Sequence, residues 1–420
     1  MLSTFDLITS LIVLAAIFAW INETVVKLPH SIGLLVMGLA ASLVLIGVDL
    51  VVPQVGLYEK FASTIRQVDF QQTVLSGMLA FLLFAGALHV NWSDLKGRAL
   101  PVALMASVGV VISTAVIGTG LWTASNLLGL GLSLGWSLVF GALISPTDPV
   151  AVLSTLKTLR VPKTLETDMA GESLFNDGVG VVLFTVMLAV VASGSFDTSS
   201  LAQVGRLFFV DALGGALLGL ATGYLAYRGM RRIDNYPTET LVSLALVTGT
   251  YAVAAKLHMS GPIAVVVAGI FVGNRGPLDA MSDVTKQYLF SFWTLVDEML
   301  NSVLFLLIGL EVVVVRFDPS FAWIIVLSIP LVLVARFIAV SVPALMFRSH
   351  YMLVPGMTKI MTWGGLRGGI SIALALSIPD VPQQPVLLAA TYAVVVFSVV
   401  VQGLTLRALI TRVITPASLH

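Results

Sequence analysis

Long apolar runs separated by short polar punctuation dominate this chain. A stretch of about 20 apolar residues is the length a helix needs to cross a bilayer. Thirteen spans are predicted, at roughly 5–21, 31–50, 72–90, 99–124, 132–156, 169–192, 207–227, 240–255, 261–273, 289–314, 321–347, 360–378 and 386–406. The run 261–273 is the shortest and falls short of a comfortable crossing. The connections are short, so the fold class is an all-α polytopic membrane protein with one membrane domain over 1–420 and no soluble domain.

Two predicted spans are interrupted. The fifth contains Ser145-Pro146-Thr147-Asp148-Pro149, and each proline removes a backbone donor and clashes with the preceding turn. The twelfth contains Gly364-Gly365-Leu366-Arg367-Gly368-Gly369, where each glycine weakens a helix interior by about 1 kcal/mol. Irregular backbone at membrane depth is tolerated only beside protein or a water-filled cavity. Paired interruptions at corresponding places mark a transport site built on inverted repeats. With repeat one at about 1–192, a linker helix at 207–227 and repeat two at 240–412, span five corresponds to span twelve and runs in the opposite direction.

Composition agrees with the pattern. Hydrophobic residues make up 58% of the chain and charged residues 10%, against about 25% charged in soluble domains. The apolar run from Leu7 has no basic residues before it, and Asp6 precedes it, so it reads as a first span and not a cleaved signal. There is no cysteine, which excludes disulfides, thiolate metal sites and cysteine nucleophiles. The formal charge is zero and gives no sign of a nucleic-acid partner. The distribution of charge is informative instead, because cytoplasmic loops collect Lys and Arg. With the N-terminus outside, the inner loops and the C-terminus hold fifteen basic residues, among them Lys27, Lys96, Arg98, Lys157 and Arg407. The outer side holds five: Lys60, Arg66, Arg206, Lys256 and Arg316. The remaining two, Arg336 and Arg367, fall inside spans.

The candidate chemistry lies on spans five, six, eleven and twelve. Span six carries Glu172, Ser173, Asn176 and Asp177 within about one turn. An acid at bilayer depth costs roughly 2.5–3.5 kcal/mol even on the mildest scale, so such a cluster points to an ion or proton path. Ser173 and Asp177 share one helix face, as do Glu172 and Asn176. Crossed broken helices bring together ends carrying about half a unit of opposite charge, which Asp148 and Arg367 are placed to neutralise. Asp148 followed by Pro149 is also the pattern of a helix N-cap. Thr147, Asp148, Ser173 and Asp177, with carbonyls released at the break, could supply the oxygens a small hard cation such as Na⁺ needs. Two partly desolvated carboxylates do not both ionise easily, so a proton and a cation compete for them. Arg336 needs a partner, and Glu172 and Asn176 are the predicted ones. Asp297, Glu298, His89 and Glu311 read as snorkelling groups near span ends, and Lys256, His258 and His350 as loop residues.

Ser145-Pro146-Thr147-Asp148-Pro149-Val150, Phe175-Asn176-Asp177-Gly178, Ala335-Arg336 and Trp363-Gly364-Gly365-Leu366-Arg367-Gly368 together resemble the NhaP/NHE branch of sodium/proton antiporters. The resemblance implies thirteen helices, a mobile core with crossed helices, a homodimer, and exchange of Na⁺ (or Li⁺) for H⁺ without any cofactor. It places Thr147, Asp148, Glu172, Ser173 and Asp177 at ion-site positions and pairs Arg336 with the Glu172/Asn176 region. An Asn-Asp pair is the form that electroneutral members carry. Members often have an acidic residue in the third span, where this chain reads Met78-Leu79-Ala80-Phe81-Leu82-Leu83. A prokaryotic inner-membrane transporter involved in pH homeostasis fits, and no enzyme activity is expected. The alternatives are K⁺/H⁺ or mixed monovalent exchange and, remotely, an intramembrane aspartyl protease. The protease is disfavoured because Asp177 follows Phe175-Asn176 and not a Gly-x-Gly motif. A passive channel is disfavoured because channels use rings or filters.

Overall fold

Apolar side chains around the whole circumference leave a helix stable only when buried in protein or lipid, and in lipid every backbone donor must be satisfied internally. The computed structural model describes residues 4–51, 70–159, 161–192, 198–313, 318–346 and 356–414, which are helical with no strand among them. The predicted outer basic residues Lys60, Arg66 and Arg316, and His350, lie outside these ranges.

In chain order the α-helices are α1 (Thr4–Ile21), α2 (His30–Val51), α3 (Leu79–Leu88), α4 (Trp92–Gly97), α5 (Ala99–Leu104), α6 (Val110–Leu127), α7 (Leu134–Ile144), α8 (Val150–Leu159) and α9 (Lys163–Ala192). There follow α10 (Thr198–Met230), α11 (Tyr236–Lys256), α12 (Gly261–Asp279), α13 (Asp283–Glu311), α14 (Ala322–Met346), α15 (Met357–Trp363), α16 (Gly369–Leu376), α17 (Gln384–Phe397) and α18 (Gly403–Val413). Among the described residues, ten helical stretches are long and apolar enough to cross a membrane. Three further predicted spans fall on Gln72–Leu88 and on the two interrupted pairs α7/α8 and α15/α16.

The starts of these helices follow from local chemistry. Asn91, Ser133, Asn235, Ser260 and Ser282 each accept a hydrogen bond from a first-turn N–H, which satisfies donors that have no intrahelical partner. The predicted short span 261–273 is corrected. The helix continues to Asp279 and is 19 residues long. The helix runs through Asn274-Arg275-Gly276-Pro277, with Pro277 so near the end that it forgoes its own N–H bond without interrupting a long stretch of helix.

Helices approach closely where small residues face each other, as expected when dispersion has to replace the hydrophobic effect. A Cβ on Gly219 of α10 would lie 3.0 Å from Ala264 Cα of α12, and one on Gly223 3.2 Å from Ala268 Cα. The large apolar core contains Phe140, Leu143 and Ile144 of α7, Leu366 of the second break, and Ile372 and Leu374 of α16. This packing holds the two broken helices against one another, with α9 and α14 alongside.

Candidate functional site

The two breaks are joined backbone to backbone. The Asp148 N–H donates to the Leu366 carbonyl at 2.8 Å, so each interrupted helix supplies a partner the other lacks. Asp148 Oδ1 accepts from the Val150 N–H at 2.9 Å, which caps α8 and places the carboxylate at the positive end of that half-helix. Its other side faces Gly368, where an added Cβ would lie 2.7 Å from Asp148 Cβ and 2.9 Å from Cγ. Arg367 crosses the other way. Its Nη1 donates to the carbonyls of Ser145 and Pro146, placing a guanidinium on the negative end of α7. The Arg367 N–H donates to Ser398 Oγ at 3.0 Å, while Nη2 is buried with no partner among the described residues.

The helix α9 passes the first break closely enough that a Cβ on Gly180 would lie 3.0 Å from Pro146 Cδ. This brings Asn176 onto Thr147: Asn176 Oδ1 accepts from the Thr147 N–H at 3.2 Å and its Nδ2 donates to Thr147 Oγ1 at 2.8 Å. Thr147 Oγ1 also shares a proton with Ser173 Oγ at 3.1 Å. The predicted pairing of Asn176 with Arg336 is thereby corrected. Four residues of helix advance about 6 Å, and at that height the N–H released by Pro146 and Pro149 needs an acceptor. Asp177 is 7% exposed and has no hydrogen-bond partner among the described residues.

Arg336 instead holds Glu172 alone, with Nη1 and Nη2 on its two oxygens. It also donates to the Met361 carbonyl from Nε at 3.2 Å and from Nη2 at 3.1 Å, which ties α14 to α15 just before the second break. Gly365 permits this approach, since a Cβ there would come 3.1 Å from Arg336 Cζ. No acid is needed from α3, which carries none.

One turn earlier on α9, Asp168 is fully buried and pairs with Arg98, whose Nε lies 2.7 Å from Oδ1 and whose Nη2 contacts Oδ2. The sequence reading placed Arg98 in an inner loop and gave Asp168 no role. The four-residue spacing of Asp168 from Glu172 was the available signal, because it puts two acids on one face of a helix.

A cavity of about 1470 Å³ is lined by Asp148 and Asp177 at the breaks, together with Pro146, Gly368 and Ile370. Thr147, Ser173 and Glu172 do not line it. The two hydroxyls lie behind the carboxylates, bonded to each other, and Glu172 is committed to Arg336. Further out, the cavity is bounded by Glu23, His30, Asn91, Asp94, Lys157, Lys163 and Arg407. One wall comes from α13, which presents Thr294, Asp297, Glu298 and Asn301. The expectation that Asp297 and Glu298 snorkel near a span end is corrected, since they sit midway along Asp283–Glu311 and face the cavity. Asn301 donates to the carbonyl of Asp297 at 2.9 Å and to its Oδ1 at 3.1 Å.

This arrangement offers two carboxylates facing one cavity, beside two half-helix ends met by fixed groups. It suits reversible binding of a small cation or a proton. Among the described residues, no group of three or more His, Asp or Glu residues forms a metal site.

Residues 12–412 match the family model described as "Sodium/hydrogen exchanger, transmembrane". The chain is 42% identical over 420 residues to the Na(+)/H(+) antiporter NhaP of Pseudomonas aeruginosa, covering 97% of this chain and 96% of that protein. It is 38% identical over 379 residues to the Na(+)/H(+) antiporter NhaH of Halobacillus aidingensis, covering 89% and 91%. The fold resembles that of the sodium proton antiporter MjNhaP1 of Methanocaldococcus jannaschii at pH 8, with a TM-score of 0.74, 18% identity, and coverage of 97% and 99%.

Proposed function

The chain belongs to the sodium/hydrogen exchanger family, and from that premise we propose that it exchanges Na⁺ (or Li⁺) for H⁺ across a prokaryotic inner membrane by alternating access. The observation that carries this reading is the placement of Asp148 and Asp177 together at the end of one cavity, at the crossing of two broken helices. Asp177 is the ion-carrying carboxylate: it is buried and has no hydrogen-bond partner among the described residues, so a cation or a proton supplies the contact it lacks there. Asp148 contributes its second oxygen, and Thr147 and Ser173 stand behind as hydroxyl ligands once their mutual bond opens. Glu172, matched to an ion-site position by resemblance, serves the site indirectly through Arg336. Competition between one proton and one cation for the same oxygens makes the exchange obligatory.

Lys157, Lys163 and Arg407 line the cavity, alongside Glu23, Asp94 and Glu166. Basic residues concentrate on the cytoplasmic side, so the N-terminus lies outside, the C-terminus inside, and this conformation is open inward. Residues 1–192 and 240–412 are read as inverted repeats joined by the helix around 207–227, and the working form as a homodimer. Exchange is electroneutral in this reading. Asn176 both donates to and accepts from Thr147. An ionised aspartate there could not donate, and it would add a third charge beside the cavity.

Proteoliposomes containing a pH-sensitive dye test the proposal, with Na⁺, Li⁺ and K⁺ supplied in parallel. Cation-driven dequenching should vanish in Asp177→Asn and fall sharply in Asp148→Asn, and an imposed membrane potential should leave the wild-type rate nearly unchanged. Normal exchange by Asp177→Asn would overturn the site. A response to K⁺ equal to that to Na⁺ would favour the mixed-cation alternative.

A further inference from the structure

The helix that carries Asp177 also carries two buried ion pairs that bind no ion from the cavity. Asp168 and Glu172 lie four residues apart on one face of α9, about 6 Å apart along the helix axis. Arg98 approaches Asp168 from the junction of α4 and α5, and Arg336 approaches Glu172 from α14. Side-chain exposure is 8% and 0% in the first pair and 7% and 2% in the second. Each guanidinium uses two nitrogens on its carboxylate. The result is a sealed array of two positive and two negative charges with no net charge.

One guanidinium between two buried carboxylates a turn apart has a choice of partner, whereas two guanidinia remove it. We propose that Arg98 is a positioning residue for exchange: by occupying Asp168 it reserves Arg336 for Glu172, and so holds the turn of α9 that presents Asp177 to the cavity. This inference rests on the exchange reading above.

The surroundings of Arg98 fit such a role. Its N–H donates to the Leu95 carbonyl at 2.9 Å, and its own carbonyl accepts from the Val102 N–H at 3.0 Å, so the side chain leaves from a fixed backbone. The short helix α4 is capped by Asn91. It is held to α12 through Asn274, which accepts from the Trp92 N–H at 2.7 Å and donates to the Val90 carbonyl at 2.8 Å. The helix α9 is seated tightly beside it: a Cβ on Gly171 would lie 3.0 Å from Val102 Cγ1 and 3.2 Å from Leu95 Cδ1. With Arg98 removed, the unpaired Asp168 draws Arg336 one turn away from Glu172. The contact of Arg336 with the Met361 carbonyl, and with it the seating of the second break, then moves as well.

The test compares Arg98→Ala, Asp168→Asn, the double variant and Arg98→Lys in proteoliposomes, reading KM for Na⁺, maximal rate, pH profile and melting temperature. Loss of a group that positions an ion ligand costs roughly 10–100-fold in affinity, so Arg98→Ala should raise KM for Na⁺ by at least about tenfold and shift the pH profile. The double variant should return KM and the pH profile close to wild type, because no unpaired carboxylate remains to compete for Arg336. Asp168→Asn should lower the melting temperature and change KM less than Arg98→Ala does, because Arg336 then has no second carboxylate to follow. Arg98→Lys should fall between wild type and Arg98→Ala, since an ammonium neutralises Asp168 without the two-pronged geometry. A purely packing role predicts instead that the double variant is as impaired as Arg98→Ala. That outcome, or a wild-type KM and pH profile in Arg98→Ala, would overturn the proposal. If wild-type protein shows no Na⁺/H⁺ exchange, the functional reading fails, and the array is judged by melting temperature alone. Arg98→Ala and Glu172→Gln should then be non-additive, and strict additivity would refute the array itself.

Discussion

Substituting Gly368 by Ala tests whether the position of the Asp148 carboxylate, and not merely its presence, sets the exchange rate. The backbone at Gly368 has φ −123° and ψ −161°, an extended conformation open to any residue, so the effect is steric. An alanine Cβ would lie 2.7 Å from Asp148 Cβ and 2.9 Å from Cγ. Carbon atoms pack at about 3.5–4.0 Å, so one of the two residues must retreat by about 0.8 Å. Asp148 is held at 2.8 Å by the Leu366 carbonyl and at 2.9 Å by the Val150 N–H, and a retreat of this size stretches both bonds. Loss of an N-cap costs about 1 kcal/mol, which leaves the fold intact. A ligand displaced by about 1 Å can cost on the order of 100-fold in rate. Gly368→Ala should therefore lose about two orders of magnitude in Na⁺-driven dequenching, while its melting temperature falls by only a few degrees. Gly249→Ala is the control. It sits mid-helix with nothing within 4 Å of the added Cβ, so it should gain up to about 1 kcal/mol in stability with unchanged exchange. Wild-type KM and rate in Gly368→Ala would refute the claim that Asp148 works only where it now stands.

The other expectations concern charge. Glu172→Gln removes one partner of a buried pair and strands Arg336, an imbalance that costs about 3–5 kcal/mol. Thermal unfolding should show a large loss that Glu172→Gln/Arg336→Met partly repairs, and a loss below about 1 kcal/mol would contradict the buried pairing. Protonation of a carboxylate ligand removes the oxygen the cation needs. Lowering the pH should therefore raise KM for Na⁺, by about tenfold per unit where one proton competes, with the maximal rate restored at saturating Na⁺. A pH-independent KM would separate the proton from the cation site.

Much of the architecture was legible in the sequence because the constraints are local. A helix in lipid must be apolar for about 20 residues, so the spans stand out one by one, and Pro146, Pro149 and the glycines around Arg367 break helices wherever they occur. The capping role of Asp148 was legible for the same reason, since a cap reaches only a few residues along the chain. Spacing on α9 separated Ser173 and Asp177 from Glu172 and Asn176, and of the two partners expected for Arg336 the structure keeps Glu172. Where local rules compete, the reading failed. The run 261–273 looked too short to cross, yet α12 continues to Asp279, and Asp297 and Glu298 looked like end groups but face the cavity midway along α13.

The sequence alone therefore determined the class of the molecule and the two breaks, because each follows from the chemistry of a short segment. Tertiary structure decided how these groups divide. Asn176 serves Thr147 and not Arg336; Arg367 seals the end of α7; Arg98 occupies Asp168; and Asp177, buried, lines the cavity beside Asp148. Each assignment depends on which helix lies opposite and at what height. A buried charge takes its partner from whatever packs against it, and residues far apart in the chain set that packing.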